Sequence, residues 1–349
     1  MALFAGILRT EDLDAKLTTF TPEVIENGMA TLLATYLAQR NDAQSLIVGG
    51  TVDVAKQRIK EGALDEGQEL GPDGRPLETR SGGYYDIGYP LKRVGWALGW
   101  NRETFAAMAV SDLEREFNVK VAGNARRHSR EIMKALLIKD NYNYEDEIVG
   151  TVAVKRLANQ DGTLYGESQS QDNHYLTSGY LSSAMSVTNN PFVTMANEIR
   201  EHFSTSTRIV AFINTAQRAN VMSLLPNFVD NPTPGIAPAL LTAQAVEPGI
   251  NVPGDFLGTD GDSGVYVYVW DRIPATYIYA QAIDEVAPVR RREPQFATLR
   301  GFQQLDEERH LPFYKRTWVE LFGYSVAGRL SGCAMELTAD ATYDNPTTL

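Results

Sequence analysis

Cysteine is almost missing from this sequence, which has Cys333 as its single example among 349 residues. One cysteine per chain excludes an intrachain disulfide, a cysteine-based zinc cage and a CxxC redox pair. In the context GRLSGCAMEL we expect Cys333 to be a small buried apolar residue rather than a reactive thiol.

The sequence also lacks an apolar run of roughly 18 to 20 residues, the length that a membrane helix requires, so we expect no membrane partner. At the start of the chain, acids follow a short apolar patch that no basic residue precedes. This order is wrong for a secretory signal, and we expect a soluble protein.

Common catalytic signatures are missing as well. The sequence contains no GxSxG, no GxxxxGK[ST], no HExxH and no GxGxxG after a strand. We therefore assign no catalytic residue, no cofactor and no metal ligand. In GTDGDSG, Asp260 and Asp262 could offer oxygen ligands, but the third ligand and the distal glutamate of a calcium loop are lacking. We expect a tight turn before a strand at this point.

Histidine is scarce, and none of the four residues is expected to bind a metal. His128 and Glu131 stand one helical turn apart, but the arginines around them in RRHSRE would repel a cation, so we expect a solvated helix face. His174 lies in a polar stretch, where we expect solvent exposure. His202 is expected to flank the apolar stripe of a helix. His310 belongs to a single ExxH pair, whereas a di-iron bundle needs two.

Positive charge is in deficit, with a formal net charge of -12 and a pI near 4.9. This balance argues against a protein whose main task is to grip phosphate backbones, although nucleic acid can still be a neighbour. The remaining composition, 43% hydrophobic and 22% charged, is that of an ordinary folded protein. A chain of this length suggests two domains, or one large and one small.

Residues 51 to 100 are predicted to form two extended limbs with a polar tip. TVDVAKQRIK predicts one strand, and Val94, Trp96 and Leu98 alternate onto one face of another. Pro90 confines the second strand to an edge or a bulge. Between the limbs, EGQELGPDGRPLETRSGGYY is too polar and too rich in glycine and proline for a core. We expect a projecting hairpin whose apolar residues have no cover from their own chain.

The strongest helical pattern runs from Arg102 to Leu137, with Leu113 and Phe117 on an apolar stripe. Taken from Ser111, it predicts a rod on the order of 40 Å long. Residues 191 to 282 then read as helix, strand, helix, strand and strand, which indicates a compact α/β domain. The closing stretch PFYKRTWVELFGYSVAGRL is strand-like. The fold class is α+β.

Charges of both signs on the hairpin tip would give directional pairing with another copy of the chain. The inter-subunit contacts predicted there are Glu69, Asp73, Arg75, Glu78 and Arg80. A second predicted contact is the basic cluster of APVRRREPQF, made of Arg290, Arg291 and Arg292. It would face the acids at 306 to 308 or the carboxylates of another copy, and a solvated loop is an equally good alternative.

The order of elements resembles the major capsid proteins of tailed double-stranded DNA bacteriophages, a fold shared with encapsulins. The phrases that carry the likeness are GYPLKRVGWALGW leading into a long charged helix, RIVAFINTAQRANVM, and PFYKRTWVELFGYSVAGRL. The resemblance implies an N-terminal arm and helix (1–50), an extended β-hairpin loop (51–100), a peripheral domain with a long spine helix (101–190 and 286–349) and an α/β axial domain (191–285).

The function that the resemblance implies is assembly. Identical subunits would form pentamers and hexamers of an icosahedral shell around double-stranded phage DNA, located in the virion and assembled in the host cytoplasm. The implied partners are other copies of the chain, separate scaffolding and portal proteins, decoration proteins in some relatives, and DNA as non-specific content. Two alternatives stay open: an encapsulin-like compartment for protein cargo, and a soluble α/β enzyme with its site near Asp260, Asp262 and Asp271.

Overall fold

The computed structural model describes residues 14–19, 24, 27–29, 31, 46–60, 84–161, 172–230, 254–308 and 313–349. The helices are α1 (Arg102–Ala107), α2 (Val110–Leu137), α3 (Pro191–Arg200) and α4 (Arg218–Met222). The first strands are β1 (Val48–Val52), β2 (Lys56–Lys60), β3 (Tyr84–Gly88), β4 (Lys92–Asn101), β5 (Tyr142–Asp146), β6 (Gly150–Val154), β7 (Tyr175–Thr177) and β8 (Ile209–Ile213). The later strands are β9 (Phe228–Asp230), β10 (Asp255–Asp260), β11 (Tyr266–Val269), β12 (Tyr277–Ala282), β13 (Val289–Arg292), β14 (Phe302–Glu308), β15 (Phe313–Val326) and β16 (Gly332–Glu336).

The long helix α2 confirms the helical prediction, with a break from α1 at residues 108 and 109. At 1.5 Å per residue it is about 42 Å long. Leu113, Phe117 and Ile132 are buried along its apolar stripe. Asp112 in the first turn and Lys134 in the last turn complement the helix dipole. Among the helices of the described residues, none is long and apolar enough to span a membrane.

The peripheral sheet is built around the long strand β15. It has the order β1-β13-β15-β14, and β4 pairs antiparallel with β15 along its whole length. Because β4 has no second partner strand in the described sheet, the prediction of an edge strand after Pro90 is confirmed. The last four residues of β15, Gly323 to Val326, pair antiparallel with β13, which pairs in turn with β1 in parallel.

The apolar face of β4 is covered by its own chain, so the expectation of uncovered residues is wrong for this limb. Trp96 stacks on Trp318 with ring centroids 4.5 Å apart and meets the edge of Phe117 at 5.7 Å. Leu98 is buried in the same cluster. The alternation was predicted correctly, but the covering residues come from the spine helix α2 and from a strand more than two hundred residues downstream.

The axial sheet has seven strands in the order β7-β16-β12-β8-β11-β10-β9. Its inner strands β8 and β12 are buried at every position, since both faces of the sheet are covered. Phe192 and Ile199 of α3 pack with Ile213 on one face. On the other face, Phe212 joins Ile132 of the spine helix. Each such aliphatic or aromatic side chain contributes about 1.5 to 3 kcal/mol through burial.

Within residues 191 to 282, the predicted helix, strand, helix, strand and strand correspond to α3, β8, α4, β11 and β12, whereas β9 and β10 were not predicted. Asn190 caps α3 by accepting a hydrogen bond from the amide of Phe192, and Pro191 occupies its first position. Asn214 caps the 3-10 turn after β8 by accepting a hydrogen bond from the amide of Ala216. The last strand, β16, lies between β7 and β12 of the axial sheet, although it comes from the segment predicted to return to the peripheral sheet.

Candidate assembly surface

The base of the predicted hairpin is formed by β2 and β3, which pair antiparallel. Asp86 accepts bonds from Arg58 Nε at 3.1 Å and from Lys56 Nζ at 2.6 Å. These two hydrogen bonds lower the pKa of Asp86 below its ordinary value, and the bond from Arg58 has the larger effect. Tyr89 is buried below the limbs, and its hydroxyl donates to Gln57 Oε1 at 2.9 Å. The limbs are therefore fixed by side-chain pairing as well as by the strand ladder.

The hairpin leaves the body of the chain at a closely packed crossing. A Cβ atom on Gly323 of β15 would lie 1.8 Å from the carbonyl oxygen of Pro90, so only glycine fits at this position. Arg292 Nη1 also donates to the carbonyl oxygen of Tyr89 at 2.7 Å. These contacts fix where the hairpin departs. The tip, with Glu69, Asp73, Arg75, Glu78 and Arg80, lies outside the described residues, and its contacts stay a prediction.

The basic triplet lies in β13, an inner strand of the peripheral sheet, so a solvated loop is wrong for its two buried members. Arg291 Nη2 donates to Glu320 Oε1 at 3.1 Å. Arg292 Nη1 donates to Asp146 Oδ2 at 2.6 Å. The side chain of Arg290 is half-buried and donates to a backbone carbonyl of β1. The contact of the triplet with another copy stays a prediction.

Arg292 supports an exposed apolar turn between β5 and β6. Asp146, its partner, accepts bonds from the amides of Ile148 at 3.0 Å and Val149 at 3.1 Å. Burial acts to raise the pKa of Asp146, but the bonds from Arg292 and from the two amides outweigh it, and the pKa is lowered. The turn is thereby held in place while Ile148 is 90% exposed and Val149 55%. An ordered turn that presents aliphatic side chains to solvent is suited to contact another protein.

Two further groups of exposed apolar side chains lie elsewhere on the described surface, apart from the single residues Val54, Val119 and Val286. Phe296 is 68% exposed beside Leu299, in the segment that follows β13. A second group lies at the end of the axial sheet, on the segments around Met185 and after α4. The hydroxyl of Ser223 connects these two segments by donating to the carbonyl oxygen of Met185 at 2.7 Å. Its members are Leu181, Val187, Leu225 and Val229. Sequence reasoning missed both groups, because single apolar residues in polar segments carry no periodicity.

A buried group of polar side chains, here called the polar joint, connects the spine helix with the peripheral sheet. His128 Nε2 lies 2.9 Å from Glu320 Oε2, and its Nδ1 lies 2.8 Å from the hydroxyl of Tyr324. Asn124 Nδ2 donates to the same Glu320 oxygen at 3.1 Å. With Arg291, these residues make up the polar joint. All five are buried, so the predicted solvated helix face is wrong at His128.

Glu131 also faces the body of the protein, one turn beyond His128. It is buried and accepts a bond from Lys92 Nζ of β4 at 2.5 Å, with Arg127 and Lys134 near it. Desolvation acts to raise the pKa of Glu131, but Lys92 first and then the other cations outweigh it and lower the pKa. Arg127 of RRHSRE therefore helps Lys92 and Lys134 to stabilise a buried carboxylate.

The remaining described histidines lie together. His174 is fully buried, so the predicted solvent exposure is wrong, and its ring stacks on that of His202 with centroids 5.1 Å apart. Burial lowers the pKa of His174 to about 4. Asp172 lies beside both rings. The pKa of Glu198 is raised to about 7. Burial is the largest cause, and the neighbouring carboxylates of Glu201 and Asp172 add to it. His310 lies outside the described residues.

The three aspartates of the enzyme alternative each have a structural partner. Asp260 is buried in the predicted tight turn and accepts bonds from the amide and hydroxyl of Ser263 and from Asn190 Nδ2. Asp262 accepts from the amide group of Asn227. Asp271 accepts from Thr215 beside the 3-10 turn. Cys333 is buried, which confirms its predicted apolar setting, and burial raises the pKa of its thiol well above the ordinary value.

This arrangement of elements is shared with solved phage structures. No protein-family model matches the sequence, and no curated protein matches it. A structure of Mycobacterium phage Patience aligns with a TM-score of 0.65 over 95% of this chain and 93% of that chain, at 17% identity. The capsid of an empty GTA particle aligns with a TM-score of 0.51 over 85% of this chain and 90% of that chain, at 13% identity. The chain therefore has the phage major capsid fold that the element order predicted.

Proposed function

We propose that this protein is a major capsid protein, whose copies assemble through pentamers and hexamers into an icosahedral shell that encloses double-stranded phage DNA. The observation that carries the proposal is the fold likeness over nearly the full length of the chain, at a TM-score of 0.65. A fold alone does not give a function. The exposed surfaces described above supply the independent physical argument.

The surfaces suit repeated contact between identical subunits. The base of the hairpin is anchored by β2 and β3, and its charged tip, which lies outside the described residues, is proposed to contact a neighbouring copy. The turn with Ile148 and Val149, the segment with Phe296 and the end of the axial sheet each present apolar side chains on ordered backbone. Each contact can be weak, because closure of a symmetric shell multiplies the contacts that every subunit makes.

The contents and partners of the shell follow from charge and chain organisation. A net charge of -12 gives little attraction to phosphate backbones, which suits non-specific enclosure of DNA that must later be released. We propose separate scaffolding and portal proteins, with decoration proteins as further candidates, assembly in the host cytoplasm, and the virion as final location. We propose a structural role for this protein and no enzymatic activity.

Imaging tests the function directly. The full-length chain is expressed, purified and examined by cryo-electron microscopy, and we expect closed hollow particles with five-fold vertices. A monomer at assembly concentrations that turns over a small substrate would contradict the proposal. Particles that carry a defined protein cargo and fail to package DNA in the presence of phage packaging components would favour the encapsulin-like alternative instead.

The hairpin is tested by deletion of residues 69 to 81. We expect the deletion variant to keep the unfolding transition of the parent chain, since β2 and β3 pair outside the deleted segment, and to form no particles by negative stain. The matched control, Glu103→Gln, removes a carboxylate from the exposed helix α1 and should assemble normally. Normal shells from the deletion variant would exclude the hairpin tip as a contact between subunits.

A further inference from the structure

Five side chains that can bind a metal meet where β7 begins and α3 ends. Asp172 and His174 immediately precede β7, and Glu198, Glu201 and His202 lie on the last turn of α3 and just beyond it. The side chains of Asp172 and His202 are 6% and 7% exposed, and that of His174 is fully buried. The cluster lies within one chain and shares no residue with the polar joint or with the exposed apolar groups.

The ligand atoms are spaced as a single ion requires. His174 Nε2 lies 3.5 Å from Asp172 Oδ1, and His202 Nε2 lies 3.3 Å from Asp172 Oδ2. Atoms of these three residues lie within 4.8 Å of one another, and the same holds for Asp172, Glu198 and Glu201. Two ligands at about 2.1 Å from a tetrahedral ion are about 3.4 Å apart.

The atoms that face one another have no hydrogen bond in the described part of the chain. Both carboxylate oxygens of Asp172 and the Nε2 atoms of His174 and His202 are buried and make no hydrogen bond of good geometry, and Asp172 faces the two histidines only at ion-pair distances. Buried polar atoms without a partner are rare in folded proteins, because each costs free energy. The His–Asp distances of 3.3 to 3.5 Å are those of ion pairs and exceed normal hydrogen-bond lengths. A cation between these atoms would satisfy all four.

The tautomer of His174 is also that of a metal ligand. Its Nδ1 lies 2.6 Å from the carbonyl oxygen of Gly332 in β16 and donates to it. The lone pair of the neutral ring is therefore on Nε2, which faces Asp172. Metal-binding histidines usually donate their other ring N–H to a carbonyl or carboxylate in this way, which orients the ring.

We propose that Asp172, His174 and His202 bind one divalent transition-metal ion of the zinc class, with Glu201 as the fourth ligand. Two imidazoles favour Zn²⁺, Co²⁺ or Ni²⁺ over Ca²⁺ and Mg²⁺, which prefer all-oxygen sites. Glu201 Oε1 lies 3.3 Å from His202 Nε2, and its side chain is 56% exposed, so the ion can approach from this side. The bound ion would tie the start of β7 to the end of α3 and so stabilise one edge of the axial sheet.

Cobalt is the sharpest probe. The full chain, stripped with a chelator and then dialysed, is titrated with Co²⁺. We expect visible absorption bands of a tetrahedral ion that saturate at about one equivalent and are displaced by Zn²⁺. Zinc should also raise the melting temperature, because it binds only the folded chain. A chain that gives no such bands and retains no Zn²⁺ by elemental analysis would overturn the proposal.

Matched variants locate the ion. Asp172→Asn and His202→Gln should each weaken Co²⁺ binding by more than about ten-fold. Asp340→Asn removes an exposed carboxylate near the end of the chain and should bind as the parent does. Unchanged binding in His202→Gln would exclude the site even if Asp172→Asn fails to fold. The titration uses unassembled subunits, so its result does not depend on shell formation.

Discussion

The axial sheet and the polar joint are held together by different forces, although both are buried. In the axial sheet, β8 and β12 contribute only side chains with no access to solvent, and they are packed on both faces by apolar neighbours. In the polar joint, Glu320 is fully buried and is bonded by Arg291, His128 and Asn124. Apolar burial has no direction, whereas these bonds fix the angle between the spine helix and the peripheral sheet.

The largest effect is expected from opening a cavity in the axial sheet. Phe212→Ala should lower the free energy of unfolding by about 3 to 5 kcal/mol, because Phe212 is fully buried against Trp270 and Tyr279. Urea unfolding of the unassembled chain measures the loss. The control Phe296→Ala removes the same ring from an exposed position and should cost less than about 0.5 kcal/mol. Equal losses would show that the packing argument is wrong.

The polar joint should respond strongly to loss of charge without loss of volume. Glu320→Gln should cost about 3 kcal/mol, since it leaves Arg291 buried without its main carboxylate. Glu293→Gln is the matched control, because Glu293 lies at the same 3.1 Å from Arg291 but is partly exposed, and it should cost less than about 1 kcal/mol. If the control is as costly as Glu320→Gln, burial is not what gives the polar joint its strength.

Acid should weaken the region around the polar joint through two carboxylates, Asp146 and Glu131. The pKa of Asp146 and that of Glu131 are lowered from ordinary values of 3.8 and 4.5. Their stabilisation is present above those ordinary values and is lost as pH falls through the lowered ones. Asp146→Asn should cost about 2 kcal/mol at neutral pH and flatten the acid side of a stability profile measured by urea unfolding. An acid side as steep as that of the parent would contradict this assignment.

Alkali should act on the axial sheet instead. Burial raises the pKa of Tyr279 well above its ordinary value of 10. Stability is therefore fully present below pH 10 and falls above it, as the unfolded chain ionises first. Tyr279→Phe loses one bond to Gln281, worth about 1 kcal/mol at neutral pH, and should reduce the alkaline loss. The same urea profiles, extended to high pH, check this smallest effect, and an unchanged alkaline slope would refute it.

Local patterns predicted the elements, and distant partners account for most of what was missed. The stripe through Leu113 and Phe117 predicted the spine helix, and the all-apolar RIVAFI predicted β8, because burial there follows from spacing alone. His128 looked solvated among its arginines, since Glu320 is 192 residues away. The face of Trp96 was recognised as apolar, but Trp318, which covers it, is even more remote in the sequence.

The candidate assembly surface was predictable only in part. The first limb of the hairpin was predicted as a strand, but the alternation used for the second limb lies on β4, which pairs with β15, whereas the strand that pairs with β2 is β3. The apolar turn at Ile148 and Val149 was not predicted, although two aliphatic residues after the acids of EDEIVGT were a signal that could have been used. Arg292 was predicted to contact another subunit because of its charge. In the structure, its guanidinium group binds Asp146, which holds that turn.

The position of β16 determines when the axial sheet can be completed during synthesis of the chain. Gly332–Glu336 fills the gap between β7 and β12, two strands that precede it by fifty residues or more. Until the ribosome has added β16, β12 lacks its neighbour on one side and β7 has no strand to pair with in the axial sheet. A growing chain is therefore unable to present its finished axial surface until Gly332–Glu336 have left the ribosome.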